Sequence, residues 1–590
     1  MDTLFSTLSL KGRVWKARAL PGQEHNRLAD KLGLSPGLAP MLAHRRIDDQ
    51  ESAGLFFHPT LKQLPDPHDL KDMQRAVRRV IEALENKQSI AVFGDYDVDG
   101  TTSSALMARY FRALGVTIRI YIPNRLTEGY GPNADAIRLL KEEGTDLLLT
   151  VDCGITSFDE LELASELGMD VIVTDHHQQS PRGLPKAVAV VNPNRADDTS
   201  SHTMLAGVGV AFYLVLAINR ELRTQGWFTS SRPEPDTRNL MDLVALGTVA
   251  DMVSLTGANR PLVSAGLRWS GRTGNLGFNA LAQAVGATIP IKSDHIGFRL
   301  GPRINAAGRL GKTGLGVTLL TTDDPEQAKM LAETLNTLNQ ERRTIEQTVL
   351  NEATEQIEAI KNLEEKRGLV VMGRGWHPGV IGIVASRLMD RHHRPTLVIS
   401  MNQGGEGTGS GRSIPGINLL EAIRAGSDHL IRYGGHAAAA GFMVKEEALE
   451  SFSTAFEQEL HQTNPPEKFQ PVMLFDTILP LSLATQPGII SDLSRFEPYG
   501  MGNPEPVIVI KNVRIQDQKV LSGKHLRLNL VDPEYDRVLE AIAFNILPGP
   551  LGETLLTVPP DRPVRVAGTL SENTYRGQTR LQIILIDAGF

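Results

Sequence analysis

From Ser89 to about Asn194, short apolar runs alternate with amphipathic stretches: SIAVFG, LMARYFRALG, DLLLTVD, LELASELG, DVIVTD and AVAVVNP. Apolar runs without internal alternation are strands buried on both faces, and helices between them predict a parallel, doubly wound α/β sheet. Ligands of such sheets bind beyond the carboxyl ends of the strands. Residues 324–366 keep a helical apolar rhythm with dense charge and no proline after Pro325, which predicts a long connecting helix. GLVVMGRGW then opens a second α/β region over 367–463, where glycine-rich stretches (GGEGTGSGRS, RYGGHAAAAGF) alternate with helical segments. NPPEKFQP reads as a linker. Beyond Gln470, short alternating segments such as HLRLNLV and LQIILID predict a small antiparallel, OB-like β-barrel over 470–590. The remaining residues, 1–323, are expected to form one domain, with residues 1–50 packed on the parallel sheet.

Composition narrows the class. The 590 residues, 41% hydrophobic and 22% charged, describe an ordinary globular chain with room for about three or four domains. A formal net charge of −7 argues against a surface coated in positive charge, yet leaves room for a basic groove. The single cysteine, Cys153, excludes an intrachain disulfide and a cysteine-cluster zinc site. A reducing compartment fits that count. The first residues lack a continuous apolar core, and no apolar run is long enough to cross a bilayer. A cytoplasmic protein with no membrane contact is therefore expected.

The chemistry concentrates at the strand ends. AVFGDYDVDGTTSSAL places Asp95, Asp97 and Asp99 directly after a buried strand; Asp152 closes LLLTVD, Asp175, His176 and His177 close VIVTDHH, and Asp251 closes LVALGTVAD. Each has a plain alternative. Asp99 could cap the helix that follows, Asp152 could orient a turn, and His176 could be a satisfied core histidine. Three successive strands of one sheet would, however, each need an idle acid at the same end. Carboxylates and neutral imidazole suit Mn²⁺ or Mg²⁺, and a shared carboxylate can hold two ions close enough to hydrolyse a phosphoester.

Anion-binding candidates lie further along. AAGRLGKT (306–313) fits a relaxed nucleotide-loop pattern, but Pro302 before it and Gly314 and Gly316 after it oppose the strand–loop–helix geometry that such a loop needs. Ser410, Arg412 and His436 lie beside glycines, so a glycine-rich loop there would let backbone approach a phosphate. Arg387 and Arg394 are further candidates for tracking a strand. Within 511–527, Lys511, Arg514, Lys519, Lys524 and Arg527 face only Asp517, which reads either as a solvated face or as nucleic-acid contact.

DYDVDGTTS, VDCGITS, VTDHHQ and LGTVADMVSL, in that order, resemble the four phosphoesterase motifs of the DHH superfamily. GPRINAAGRLG, WHPGVIGIVASRL, SGRSI and GGHAAAAGF extend the resemblance through a DHH-associated (DHHA1) domain, and the whole order resembles the RecJ-type single-strand exonucleases. The resemblance implies one ion on Asp99, Asp152, His176 and Asp251, and a second on Asp97 and Asp152. His177 would then meet the scissile phosphate. It further implies Arg303, Asn305 and Arg309 as phosphate contacts, and 5′→3′ removal of 5′-mononucleotides from single-stranded DNA in recombination and repair. A groove between the first two domains would take the strand, the barrel would hold it farther along, and a helicase and a single-strand-binding protein would work beside the enzyme. No partner surface is readable, and a monomer is expected. One departure stands out: Phe93 occupies the position where relatives such as the pyrophosphatases carry a histidine ligand, which leaves Asp95 to supply the missing oxygen. A DHH phosphodiesterase of short oligonucleotides or cyclic dinucleotides is the alternative reading.

Overall fold

The computed structural model describes residues 7–532, 537–575 and 578–590. Five parallel strands, β1 (Ile90–Gly94), β2 (Arg119–Tyr121), β3 (Leu147–Val151), β4 (Asp170–Thr174) and β5 (Ala189–Val191), form a sheet in the order β2-β1-β3-β4-β5. β1 and β3 are buried at every residue, which is why their sequences show no alternation. Val92, Leu149 and Ile172 face one apolar cluster, and Ala91, Phe93, Leu148 and Val171 face another, so both faces are covered. The strand order reverses between β1 and β3, and the crevice of a doubly wound sheet opens at that point.

Four helices bear on this crevice: α1 (Val98–Ala113), α2 (Gly207–Thr224), α3 (Met241–Ala250) and α4 (Gly301–Arg309). α4 continues from a π-helical turn at Ile296–Leu300, so AAGRLGKT begins inside a helix with no strand before it. The connecting helix α5 (Pro325–Glu358) runs for 34 residues and stops short of the expected end at 366. Ile360 N–H bonds three residues back, and Asn362 adopts a left-handed φ of 55°, which breaks the helical ladder. The first half of α5 packs Ala328, Leu331 and Leu335 into the sheet-domain core. Its second half packs Val349, Ala353 and Ile357 against Leu369, Val380 and Val384.

The second region is a mixed sheet of β6 (Leu369–Arg374), β7 (Thr396–Met401), β8 (Glu406–Arg412), β9 (Leu430–Gly435) and β10 (Ala439–Lys445), in the order β9-β10-β8-β7-β6, with helix α6 (Pro378–His392) against it. Ser410 and Arg412 therefore lie on a strand, not in the expected glycine-rich loop. The glycines serve packing: a Cβ at Gly409 would lie 2.2 Å from the Phe442 ring, and one at Gly411 would lie 2.5 Å from Leu397. His436 does lie in a turn, between β9 and β10.

The C-terminal region contains β11 (Val472–Phe475), β12 (Thr477–Leu479), β13 (Ile508–Leu521), β14 (His525–Val531), β15 (Val538–Ala543), β16 (Val564–Tyr575) and β17 (Gln578–Gly589). The sheet order β13-β14-β15-β17-β16 closes through β13–β16 pairing into a five-stranded barrel. It is not wholly antiparallel as expected, because β17 returns parallel to β15. Alternation along a strand reports which residues face inward, not the direction of the neighbouring strand.

Residues 1–50 also depart from expectation. Residues 7–58 form one compact unit with the barrel, not with the parallel sheet. The strand Val14–Ala17 pairs in parallel with β11. Leu38, Met41 and Leu42 share a core with Leu479, Phe496, Ile508 and Leu530. The buried Asp587 carboxylate accepts hydrogen bonds from Ser9 Oγ (2.6 Å) and Trp15 Nε1 (3.2 Å). The short N-terminal helices advertise an apolar face in sequence, but nothing local says what covers it.

Candidate metal centre

Each acidic ligand candidate is placed by backbone chemistry. Asp97 caps α1, its carboxylate accepting from Gly100 N–H at 3.0 Å. Asp99, two residues later and fully buried, does not cap its own helix. It reaches across to the start of α2, accepting from Gly207 N–H (2.6 Å) and Val208 N–H (2.9 Å), where the helix's free amides favour a negative charge. Asp152 follows β3 at a left-handed φ of 61°, a conformation that aspartate tolerates better than most residues. Asp251 closes α3 and His176 follows β4.

These side chains converge. His176 Nε2 lies 3.2 Å from Asp152 Oδ1, 3.5 Å from Asp251 Oδ2 and 3.9 Å from Asp99 Oδ2. Asp99, His176 and Asp251 present ligand atoms all within 4.8 Å of one another, and so do Asp95, Asp97 and Asp152. Asp152, His176 and His177 form a third such group, so Asp152 joins the first two through its contact with His176.

Electrostatics show that the protein alone does not satisfy this cluster. Burial, then the Asp97 charge, raises the carboxyl groups of Asp95 well above the usual range and Asp99 to about 7. Burial followed by Asp99 and Asp97 raises Asp152 strongly and Asp251 to about 9. His176 is pushed down to about 4 by burial and then by His177, which favours the neutral ring that coordinates metals. Four buried atoms of these residues, Asp95 Oδ1, Asp152 Oδ1, Asp251 Oδ2 and His176 Nε2, have no hydrogen-bond partner. A buried polar atom left this way is costly unless a cation completes it. The all-oxygen-and-imidazole donor set fits Mn²⁺ or Mg²⁺.

His177 is handled differently. Its ring is half-exposed, and its Nδ1 donates to Asp175 Oδ1 at 2.7 Å, with Tyr130 Oη 3.1 Å away. Burial opposes its charge, but the Asp175 hydrogen bond and charge outweigh that and hold it up to about 9. Asp175 itself is fully buried and accepts backbone N–H bonds from Ile155 and His176, so it organises the loop rather than offering a ligand atom. Phe93 stacks on Tyr121 in the core, and the unpartnered Asp95 oxygen occupies the side of the cluster near Asp97.

Arg309 is lowered to about 10 by burial and then by Arg125, Arg342 and Arg412; Arg412 is lowered by burial and then by Arg125. These mutual repulsions place Arg125, Arg309 and Arg412 in one positive cluster, with α4 and β8 bringing the last two together. Arg309 donates to Gly379 O and Arg412 to Ser410 Oγ, but among the described residues none of Arg303, Arg309 and Arg412 forms an ion pair. Asn305 lies half-buried on α4. Arg387 instead pairs with Glu346 at 2.7 Å, and Arg394 bonds the Lys366 and His393 carbonyls, so both charges are at least partly used within the fold. On the barrel, Lys519 stands directly opposite Arg527 across β13 and β14; Arg514 is opposite Val531, Lys524 lies in the connecting turn, and Lys511 is exposed on β13.

Sequence reasoning missed Arg125, Tyr130 and Gly207. Arg125 and Tyr130 lie in the loop after β2, and applying the strand-end rule to that strand would have found them. Gly207 could not be found that way: a Cβ there would lie 2.6 Å from Asp152 Cβ and 2.7 Å from its Oδ1.

Residues 89–248 match the DHH family, N-terminal domain, residues 365–462 the DHHA1 domain, and residues 475–587 the RecJ OB domain. A Salmonella typhimurium protein described as single-stranded-DNA-specific exonuclease RecJ is 39% identical over 583 residues, covering 96% of this chain and 98% of that one. The structure of Thermus thermophilus RecJ with Mn²⁺ superposes with a TM-score of 0.81 at 33% identity, covering 97% of this chain and 79% of that chain. The Mg²⁺ complex of the same protein gives 0.76 at 31% identity, covering 98% of this chain and 78% of that one. With three matched domains, and a relative this similar over nearly the whole of both chains, this chain belongs to the RecJ family.

Proposed function

We propose that this chain is a divalent-metal-dependent exonuclease specific for single-stranded DNA, removing 5′-mononucleotides in the 5′→3′ direction. The observation that carries the reading is the pair of ligand groups joined at Asp152, with four buried donor atoms that no protein group satisfies. We assign Asp99, Asp152, His176 and Asp251 to one ion and Asp95, Asp97 and Asp152 to the other. When bound, two such ions supply the charge that activates a water and stabilises the phosphoryl transition state.

The chain's own residues orient the reaction. Asp99 is fixed by the α2 amides, so its carboxylate need not reorganise. Asp175 takes His177 Nδ1, which leaves Nε2 to donate to a phosphate oxygen. Arg309, Arg412, Arg303, Asn305, Ser410 and His436 supply donors for the strand's phosphates, and Lys511, Arg514, Lys519, Lys524 and Arg527 give the barrel its own basic residues for single-stranded DNA. Arg387 is a weaker contact because Glu346 already holds it. A helicase and a single-strand-binding protein are the partners this reading expects, in cytoplasmic recombination or repair. Among the described residues no helix is long and apolar enough to cross a membrane.

The test is digestion of a 3′-labelled single strand with Mn²⁺, Mg²⁺ or EDTA, beside a duplex. A metal-dependent ladder of shortening labelled fragments, absent on the duplex, is expected. Cleavage confined to very short oligonucleotides would move the chain to the phosphodiesterase alternative.

A further inference from the structure

Phe298 is 81% exposed, more than any other large apolar side chain among the described residues. It sits at the centre of the π turn Ile296–Leu300, where Gly301 N–H donates to Ile296 O, five residues back. Pro302 has no N–H to give the Phe298 carbonyl four residues back, and a widened turn accommodates that loss. Ile296 and Leu300 anchor the turn in the core, so the residue between them is held outward on a rigid support.

The surroundings of this ring are basic. Arg299 follows it, and Arg303 Nη1 donates to the Arg299 carbonyl at 2.9 Å. Arg303 is lowered by burial and then by Arg343, Arg342 and Arg299; Arg342 is buried and ion-paired with Glu346, which leaves Arg299, Arg303 and Arg343 to meet a strand. The buried side of the same segment borders the metal centre. A Cβ at Gly301 would lie 3.4 Å from Ala250, the neighbour of Asp251, and 3.8 Å from Val98, between Asp97 and Asp99.

We propose that Phe298 is a stacking platform for an unpaired base of the DNA strand whose phosphates the Arg299/Arg303 patch holds. Guanidinium groups take phosphates and a flat ring beside them takes a base face, which is how single strands are held without sequence preference. A base inside a duplex has both faces covered by its neighbours. Phe298 therefore favours single strands, a specificity role that rests on the exonuclease reading above.

The full chain, in EDTA so that no hydrolysis occurs, is titrated with labelled oligothymidylate, an abasic strand of equal length, and a duplex, using anisotropy. Phe298→Ala weakens oligothymidylate binding by about 5- to 100-fold, the range of one lost base–aromatic stack, and leaves abasic-strand binding as it was. Phe298→Trp restores affinity, and its added fluorescence is quenched by the strand. If wild type binds oligothymidylate no better than duplex, the exonuclease reading itself fails. If wild type shows that preference but Phe298→Ala binds equally well, or loses the same factor on the abasic strand, the stacking role alone is overturned.

Discussion

Gly207 offers the sharpest test of how the proposed metal centre is built, because it touches two of the assigned ligands, Asp99 and Asp152, without being one. Its N–H fixes Asp99 at 2.6 Å, and its bare Cα abuts Asp152. In Gly207→Ala the new methyl carbon would start 2.7 Å from Asp152 Oδ1, and ordinary contact begins at 3.4 Å. The carboxylate shared by both ligand groups must therefore move by about 0.7 Å, on a scale where 1 Å of misplacement costs about 100-fold. Turnover should fall about 10- to 100-fold, with a matching loss of Mn²⁺ affinity by calorimetry. Stability should change little: alanine gains up to about 1 kcal/mol of helix propensity, against about 1–3 kcal/mol for overpacking. Gly209→Ala is the control, since the atoms nearest its methyl all belong to Leu205, with Cδ2 at 3.0 Å, and none to a proposed ligand. A folded Gly207→Ala protein with wild-type turnover and metal affinity would refute the argument.

Asp152→Asn should abolish hydrolysis while the melting temperature holds or rises, because it removes one of several repelling carboxylates; retained turnover would refute its shared role. Arg412→Ala should weaken strand binding and lower the slope of log affinity against log salt by about 1, and an unchanged slope would make it purely structural. Glu346→Leu strands the buried Arg342 and frees Arg387, so denaturant unfolding should register a loss of about 3 kcal/mol. A chain cut after residue 465 but retaining residues 1–58 should aggregate, because Leu38, Met41 and Leu42 lose their cover. Residues 59–465 alone should stay soluble, as sedimentation would show.

The sequence by itself determined the elements and the chemistry. Fully apolar β1 and β3 announced a sheet covered on both faces, and acids at successive strand ends announced a cation site, since both signals are local: a buried strand must be apolar and a carboxylate must be compensated. Tertiary structure decided what distance along the chain hides. Asp99 caps α2, more than a hundred residues away, and not its own helix, because only the packed fold brings those free amides to it. Ser410 and Arg412 looked like loop residues because glycine signals turns, yet the glycines of β8 exist to admit Phe442 and Leu397. Residues 7–58 joined the barrel, not the sheet, because an amphipathic helix encodes that it must be covered and leaves the covering surface to the rest of the fold.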